Sequence, residues 1–373
     1  MHFLFLEPYY GGSHKDFADG WIAHSRHRIT LKTLQDRFWK WRMRGAALHW
    51  AAGIPDLQDY DGLIVTDLMS LADFKALAGP RCPPALVYFH ESQSAYPLSN
   101  EGRQDLQCHF TDITTALSAE RVVFNSRTHL DTFLQRALRL IAQMPDHRPH
   151  WVTEAIKAKS GVLHPGCWFS GEVGDEVRRS AADLEPPLVI WNHRWEHDKN
   201  PNDFFDALAT VRSRGIKFRL ALLGENYRRI PSAFIRAKTE FAEEIVQYGP
   251  VADKADYQRW LRQGTIVLST ARQENFGIAV VEAVRFGCLP LLPNRLVYPE
   301  LLPDAQHAHC IYYSPRDLVR KLQDHLQGAR QLETRRRSLA EHMACHAWER
   351  RIDAFDRCLD ALAGGSAGNG SVR

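Results

Sequence analysis

The stretch TIVLSTARQENFGIAVVEAVRFGCLPLLP, residues 265–293, carries most of the information about the fold. Its pattern predicts a strand, a short helix and a second strand, at residues 265–270, 278–286 and 288–292. The helix is apolar almost all the way round, so it is expected to be largely buried. Two carboxylates, Glu274 in the loop and Glu282 inside the helix, therefore lie where charge is costly and needs a partner or a ligand.

The same alternation of apolar runs and helical patterns extends over the rest of the chain. Further strands are predicted at residues 2–6, 63–66, 85–90, 122–125, 188–192, 218–223 and 245–248, with helices between them, for example at 126–142 and 202–212. Strands that alternate with helices form parallel sheets with right-handed crossovers. The sequence therefore predicts an α/β protein with two Rossmann-like domains that face a cleft.

A segment rich in Gly, Ser, Glu and Pro separates the two series of strands and predicts a linker. The predicted parts are an N-terminal Rossmann-like domain at 1–170, the linker at 171–186, a C-terminal Rossmann-like domain at 187–340, a helix at 341–363 and a disordered tail at 364–373. We expect the C-terminal helix to return to the N-terminal domain.

The composition is that of a globular protein, and it narrows the functional classes. The chain has 373 residues, 45% hydrophobic and 24% charged, with a net charge of +3, which permits an anionic ligand without demanding one. Seven cysteines without close pairs indicate reduced thiols rather than disulfides or a zinc site. No apolar run is long enough to span a membrane, and the N-terminus reads as a strand rather than a signal peptide. We therefore expect a cytoplasmic protein.

The residues just beyond the strand at 265–270 are candidates for a phosphate site, because ligands of open parallel sheets bind past the carboxyl ends of the strands. Backbone N–H groups at a helix start favour an anion, and this loop contains Glu274, Asn275, Phe276 and Gly277. One turn into the helix, Glu282 is placed to accept hydrogen bonds from a ribose diol. The alternative is that Glu274 caps the helix and Glu282 forms an ion pair between domains. The pattern alone leaves both readings open.

Two motifs in the C-terminal half resemble the retaining glycosyltransferases of the GT-B fold, family-4 type. The first is E-x7-E over Glu274 and Glu282 followed by FGCLPLLP, and the second is VIWNHRWEHDKNP with Arg194 and Lys199. The resemblance implies that Glu274 lies by the donor sugar and that Glu282 binds the nucleotide ribose. It also implies that Arg194 and Lys199 hold the diphosphate, a charge stabilisation that needs no metal.

The N-terminal half resembles the tRNA-queuosine α-mannosyltransferase family through FLEPYYGGSHKDFADGW, YFHESQSAYP, VVFNSRTHLDTF and VLHPGCW. That resemblance implies retaining transfer of mannose from GDP-mannose to the cyclopentenediol of queuosine at the tRNA wobble position. His90 then contacts the donor sugar, although a histidine bonded within the core is the alternative. Ser13 is expected to cap the first helix, and Asn125 with Ser126 reads as an ordinary helix start.

The site residues predicted in this way fall into three groups. Catalytic roles are expected for His90, Glu274, Arg194 and Lys199. Donor-binding roles are expected for Gly11, Gly12, Arg194, Lys199, Asn275, Phe276, Gly277 and Glu282. Acceptor-binding roles are expected for Ser13, His14, Trp39, Trp41, Arg42, Arg44 and Glu91.

The acceptor assignment depends on the segment DRFWKWRMRGAALHW, residues 36–50, which interleaves tryptophans with arginines. Aromatic rings can stack on unpaired bases, and arginines can bind phosphate. The alternatives are an amphipathic helix whose tryptophans are partly core, or a lipid-facing segment. Asp59 and Asp61 have the spacing of a metal-binding pair in another glycosyltransferase fold, but no such pattern surrounds them and no metal is assigned.

Three functions therefore remain after the sequence has been read. The first is a mannosyltransferase acting on queuosine in tRNA, with a nucleotide sugar and tRNA as its partners, no cofactor and no stable membrane association. The second is a family-4 transferase acting on a glycolipid or polysaccharide at a membrane surface. The third is a non-catalytic protein that binds tRNA or nucleotides. The presence of Glu274, Glu282, Arg194 and Lys199 argues against this third function.

Overall fold

The computed structural model describes residues 1–92, 105–169, 186–224, 230–328 and 332–365, and these form two compact units. The first unit contains Met1–Trp168 together with the C-terminal segment from His346, and the second contains Phe169–Cys345. The predicted linker at 171–186 lies outside the described residues except for Pro186, and so does the predicted tail beyond Gly365.

The first unit is built on a six-stranded parallel sheet with the order β2-β1-β3-β4-β5-β6. Its strands are β1 (His2–Tyr10), β2 (Arg28–Gln35), β3 (Gly62–Thr66), β4 (Ala85–Phe89), β5 (Arg121–Phe124) and β6 (Ser160–Val162). Its helices are α1 (Gly12–His24), α2 (Trp39–Gly53), α3 (Leu71–Ala78), α4 (Leu106–Ser118), α5 (Arg127–Ala142) and α6 (Trp151–Ala158). The central strands β3 and β4 are buried along their whole length, as expected for a parallel sheet covered on both faces.

Alternate residues of the central strands enter two different cores. Leu4 and Val65 pack against α2 to α6 on one face, whereas Phe5 and Ile64 pack against α1 and a C-terminal helix on the other. This alternation follows from the two-residue repeat of a strand.

The C-terminal helix completes the second of these cores. It runs over Trp348–Gly365, and its first residue, Trp348, is fully buried beside α1. Gly20 and Gly166 make room for this indole, because a Cβ at either position would overlap it. The expectation that the C-terminal helix returns to the N-terminal domain is confirmed.

The second unit has its own parallel sheet with the order β12-β11-β10-β7-β8-β9. Its strands are β7 (Leu188–Trp191), β8 (Arg219–Leu222), β9 (Ile245–Tyr248), β10 (Ile266–Leu268), β11 (Leu289–Pro293) and β12 (Ile311–Tyr312). Its helices are α7 (Pro201–Ser213), α8 (Ser232–Glu240), α9 (Lys254–Gln263), α10 (Ile278–Arg285), α11 (Tyr298–Leu301), α12 (Asp304–Cys310), α13 (Pro315–Gln327) and α14 (Glu333–Met343), so the C-terminal helix Trp348–Gly365 is α15.

The structure differs from the sequence prediction mainly at the sheet edges. Strands β2, β6 and β12 were not predicted, and each is the outermost strand of its sheet. Edge strands are half solvated or very short, so they lack the apolar run that marks a central strand. One helix was expected at 341–363, whereas the structure ends α14 at Met343 and begins α15 at Trp348.

Candidate active site

In the second unit, the loop between β10 and α10 holds Glu274 by both of its carboxylate oxygens. Oε1 accepts the N–H of Gly277 at 3.1 Å, and Oε2 lies 3.2 Å from the Lys199 ammonium. Gly277 has a φ of 87°, a left-handed conformation that suits glycine. Asn275 accepts a hydrogen bond from the Gln273 amide, and Phe276 is buried. Glu274 therefore contacts the helix start, as the capping alternative expects, and also the lysine.

Lys199 is a buried cation enclosed by oxygen atoms. It ends the 3-10 turn His197–Lys199, and its ammonium donates to the carbonyl of Gln273 at 2.7 Å and forms ion pairs with Asp198 and Glu274 at 3.3 and 3.2 Å. Burial alone would lower the pKa of Lys199, but Glu274 and Asp198 raise it. Burial would likewise raise the pKa of Glu274, but Lys199 lowers it. Both groups are therefore ionised at neutral pH.

Arg194, the other predicted diphosphate ligand, lies on the surface. Its side chain is 45% exposed and its guanidinium is 3.4 Å from the Glu196 carboxylate. Its positive charge nevertheless contributes to lowering the pKa of Glu274. Two cations thus influence Glu274, the buried Lys199 and the exposed Arg194.

Glu282 is half-buried on α10 and belongs to a hydrogen-bonded chain that the sequence did not reveal. The hydroxyl of Tyr257 on α9 donates to Glu282 Oε2 at 3.1 Å. The Asn192 amide donates in turn to the Tyr257 oxygen at 2.9 Å and to the carbonyl of Ala279 at 2.7 Å. Asn192 directly follows β7 in the motif quoted for Arg194, which is the signal that could have identified it. Tyr257 lies 25 residues before Glu282 and gave no such signal.

In the first unit, the glycine pair follows β1 and opens α1. Gly12 has a φ of 50°, and a Cβ at Gly11 would overlap the side chain of Asp36, so both positions favour glycine. The prediction that Ser13 caps this helix is wrong, because α1 begins at Gly12 with Gly11 as its N-cap. Ser13 lies in the first turn, which leaves its predicted acceptor-binding role as a prediction.

Beside this turn, three side chains from β1, α1 and the end of β4 converge. Glu7 is fully buried, its Oε1 accepts the N–H of Tyr9 at 2.9 Å, and the same oxygen is 3.4 Å from Nδ1 of His14. The rings of His14 and His90 lie 4.2 Å apart. Asp67, at the end of β3, accepts the N–H of His90 at 2.8 Å. The sequence predicted His14 and His90 as site residues but missed Glu7 and Asp67.

Three groups of this cluster, His14, His90 and Asp67, have shifted pKa values. Burial alone would lower the pKa of His14, but the carboxylates of Glu7, Asp67 and Glu91 raise it to about 9. Burial, with help from the charge on His14, lowers the pKa of His90 well below its usual value. Burial raises the pKa of Asp67 to about 7, against the opposing charge of His14. Strongly perturbed groups at the ends of parallel strands are typical of functional sites.

The same cluster is a group that could hold a metal ion by spacing alone. Glu7, His14 and His90 each have one ligand-type atom within 4.8 Å of the others. An imidazole must be neutral to bind a metal, so an ion here would have to displace the proton that the carboxylates hold on His14, whose pKa they raise to about 9. Without an ion, Glu7 and His14 form a buried ion pair beside the neutral ring of His90.

The basic and aromatic segment 36–50 divides between surface and core. Trp41 is 77% exposed, Trp39 is half-buried, and Trp50 is buried in the core on the same helix. Arg42 donates to the carbonyl of Gln35 at 3.2 Å. Arg44 is exposed and pairs with Asp73 at 3.0 Å. The core alternative thus holds for Trp50, whereas Trp41 lies on the surface.

Comparison with known proteins identifies relatives over both units. Residues 2–167 match the family described as tRNA-queuosine alpha-mannosyltransferase N-terminal, and residues 174–342 match the family described as glycosyl transferases group 1. The chain is 35% identical over 331 residues to the tRNA-queuosine alpha-mannosyltransferase of Drosophila melanogaster, with 86% of each protein covered. It is also 22% identical over 201 residues to the GDP-mannose:cellobiosyl-diphosphopolyprenol alpha-mannosyltransferase of Xanthomonas oryzae pv. oryzae, covering 51% of this chain and 52% of that protein.

Solved structures confirm the predicted fold class. The sucrose-phosphate synthase of Thermosynechococcus elongatus aligns with a TM-score of 0.74 at 13% identity, covering 98% of this chain and all of that one. Together with the two parallel sheets, this similarity shows a two-domain GT-B fold. Among the residues that the structure describes, none of the helices has both the length and the apolar character that a bilayer span requires.

Proposed function

Because the chain belongs to the tRNA-queuosine α-mannosyltransferase family, we propose that it transfers mannose from GDP-mannose to the cyclopentenediol of queuosine at the wobble position of tRNA. The observation that carries the proposal is the similarity to the Drosophila melanogaster relative, which extends over both units of the chain. Action on tRNA favours a cytoplasmic location without stable membrane association.

The donor is proposed to bind the second unit. Glu282, oriented by Tyr257, accepts hydrogen bonds from the ribose hydroxyls. The loop at Asn275 and Phe276 is proposed to supply backbone N–H groups to phosphate, while Gly277, whose N–H is donated to Glu274, shapes the loop beside the donor. Glu274 is proposed to lie by the sugar. Gly11 and Gly12 are proposed to approach the donor from the turn after β1. The preference for guanine and for mannose rests on the family and on the GDP-mannose named for the Xanthomonas oryzae relative.

The proposed reaction is a retaining transfer. The bond between C1 of mannose and the diphosphate breaks, the acceptor hydroxyl forms the new bond to C1, and its proton passes to the departing diphosphate. Lys199 and Arg194 stabilise the charge that develops on this leaving group, so no metal is required on it. His90 is proposed to contact the sugar, and the product keeps the α configuration of the donor.

The acceptor is proposed to bind the first unit. Exposed Trp41 and half-buried Trp39 offer faces on which unpaired bases stack, and Arg42 and Arg44 supply positive charge for the backbone. Ser13, His14 and Glu91 surround the end of β1 and β4, where the diol of queuosine is proposed to bind.

Mass spectrometry of nucleosides tests this proposal. The purified protein is incubated with queuosine-containing tRNA and, separately, with GDP-mannose, GDP-glucose, UDP-glucose or UDP-galactose. We expect queuosine to gain one hexose from GDP-mannose only, and tRNA that lacks queuosine is the control. An NMR spectrum of the product should show an α linkage, and a β linkage would refute retention.

A lipid-linked acceptor is the second candidate. It is favoured by the name of the Xanthomonas oryzae relative, which specifies a cellobiosyl-diphosphopolyprenol as the acceptor. Hexose transfer to a polyprenyl diphosphate sugar, with queuosine unmodified, would favour that candidate. Flotation with liposomes is the companion experiment, and we expect the protein to remain unbound.

A further inference from the structure

Glu7 is a fully buried carboxylate near the carboxyl end of β1, where burying a charge is costly. It lies on β1 with 0% exposure, and its Oε1 accepts the N–H of Tyr9 at 2.9 Å. Its Oε2 is buried and makes no hydrogen bond within the described residues. A buried charge is retained only when it is paired, and the partner within reach is His14, whose Nδ1 is 3.4 Å from Oε1.

The neighbouring residue His90 is held by hydrogen bonds to its backbone and by aromatic packing against its ring. Asp67 accepts the backbone N–H of His90 at 2.8 Å, and the Asn125 amide donates to the backbone carbonyl of His90 at 2.7 Å. Phe17 packs edge-on against the ring with centroids 4.6 Å apart. The centroid of the His14 ring lies 4.2 Å from that of His90, and Nδ1 of His14 lies 3.4 Å from Oε1 of Glu7.

We propose that Glu7 is a positioning residue for the transfer reaction, because its buried carboxylate holds the ring of His14 against His90 at the ends of β1 and β4. This inference rests on the proposed function, in which His14 and His90 contact the substrates. With Nδ1 directed at Glu7, Nε2 of His14 is the ring nitrogen left to donate a hydrogen bond to a substrate oxygen.

The electrostatics of the cluster agree with this geometry. Glu7 is the strongest of the carboxylates that oppose burial and raise the pKa of His14 to about 9, with Asp67 and Glu91 adding to it. His90 stays neutral because burial, His14 and His129 all lower its pKa. Because the two adjacent rings have different pKa values, His14 can act as a cationic hydrogen-bond donor while His90 is its neutral neighbour.

The first test measures His14 directly and needs no substrate. Histidine rings are labelled with ¹⁵N and titrated by NMR, and the signal lost in His14→Gln assigns His14. We expect its pKa near 9 in the native protein, and at least one unit lower in Glu7→Gln. Asp356→Asn is the matched control, since Asp356 is also a buried carboxylate of this unit that accepts a backbone N–H, that of Arg26 at 3.0 Å. An unchanged His14 titration in Glu7→Gln would overturn the proposal.

The second test measures transfer. Glu7→Gln should lower kcat by about 10²-fold and move the alkaline limb of the pH profile to lower pH, because His14 then loses its proton earlier. Glu7→Asp keeps the negative charge, so its kcat should lie between those of Glu7→Gln and the native protein. It is the variant to compare with the native protein if Glu7→Gln does not fold. Asp356→Asn should lose stability while keeping the native pH profile.

A double substitution separates positioning from general damage. Glu7→Gln should reduce kcat no further in the His14→Gln background, and a full additional loss there would overturn the proposal. Stoichiometric zinc in the purified protein, lost in Glu7→Gln, would also overturn it. If the native protein transfers no sugar to queuosine while the NMR titration behaves as expected, the proposed function fails and the Glu7–His14 pairing stands.

Discussion

Lys199 is a buried cation paired with Asp198 and Glu274, whereas Arg194 lies on the surface. Lys199→Met would leave the carboxylates of Asp198 and Glu274 buried together without their cation, so we expect a loss of roughly 3–5 kcal/mol in the free energy of unfolding. Arg194→Met, on the surface, should cost about 1 kcal/mol or less. Chemical denaturation of both variants is the measurement.

The same two substitutions should have similar effects on catalysis. If both cations stabilise the departing diphosphate, each variant should lower kcat by roughly 10²–10³-fold. The two variants are expected to differ only in stability. Arg194→Met therefore gives the cleaner kinetic experiment, because its lower kcat would not be confounded by unfolding. A kcat unchanged in folded Arg194→Met would remove Arg194 from the proposed leaving-group site.

Glu282 provides a test of the donor assignment at the residue scale. Glu282→Ala should weaken GDP binding by ~1.5–3 kcal/mol, as expected for a lost hydrogen bond to a charged group. Tyr257→Phe should have a smaller effect in the same direction, because the carboxylate stays but loses the hydroxyl that orients it. Calorimetry with GDP gives both values, and native affinity in a folded Glu282→Ala would contradict the assignment.

The sequence motifs selected residues that lie close together in the structure, but residues brought there by tertiary contacts alone were missed. Glu274 and Lys199 were selected separately and lie in contact, 3.2 Å apart. Glu7 was missed although a carboxylate inside the apolar strand FLFLEPYY is itself a signal of a paired or functional charge. Asp67 reaches the site only because β3 and β4 are neighbours in the sheet, an order that the sequence does not state.

At the scale of single elements, α2 is the helix on which the acceptor proposal depends. Trp41→Ala and Arg42→Ala should raise KM for tRNA while leaving GDP affinity within about twofold, because uniform acceptor binding appears in KM. Trp41 is exposed, so its loss should not affect folding. Arg44→Ala should flatten the salt dependence of tRNA binding.

Controls for α2 come from the same helix. Trp50→Ala removes a core indole and should unfold or strongly destabilise the first unit. It is the reference for the loss of a structural tryptophan, against which Trp41→Ala is compared. Should Trp41→Ala abolish liposome binding and leave tRNA binding intact, the lipid-linked acceptor becomes the better proposal.

Two helix starts illustrate how far capping can be predicted. Ser126 was expected to open α5, and its hydroxyl does accept the N–H of His129 at 3.0 Å. Ser13 was expected to do the same for α1, but the chain enters that helix through the glycine pair. Ser126→Ala should therefore cost about 1 kcal/mol in the free energy of unfolding, and Ser13→Ala should lose no cap. Equal losses in denaturation experiments would contradict this difference.

On the scale of the whole molecule, the alternation of strands and helices was sufficient to predict two Rossmann-like domains, because buried parallel strands have continuous apolar runs such as LVIW at β7. The return of α15 to the first sheet depends on Trp348 filling a space that Gly20 and Gly166 leave open. Such complementarity between residues more than 180 positions apart has no signature in a single sequence.

Buried neutral histidines in both units predict that acid destabilises the protein. Burial is the main cause that lowers the pKa of His129 to about 3 and those of His193 and His325 to about 4. Between those values and the unfolded value near 6.5, the unfolded chain binds protons that the folded chain does not. The stability from these groups is therefore complete above pH 6.5 and declines as the pH falls toward 4, by about 1.4 kcal/mol per pH unit for each histidine.

Asp67 and His14 shape the rest of this pH dependence. Burial raises the pKa of Asp67 to about 7. Between the pKa of Asp67 in the unfolded chain and pH 7, the folded chain therefore binds one proton more through Asp67. This uptake offsets the acid destabilisation that one of the three histidines causes. The raised pKa of His14 adds stability below pH 6.5 that is lost as the pH rises through about 9. We therefore expect maximal stability near neutral pH and a clear loss by pH 5 in urea denaturation. His129→Asn should reduce the acid slope by about 1.4 kcal/mol per pH unit, and equal native stability at pH 5 and pH 7 would contradict the assignment of neutral buried histidines.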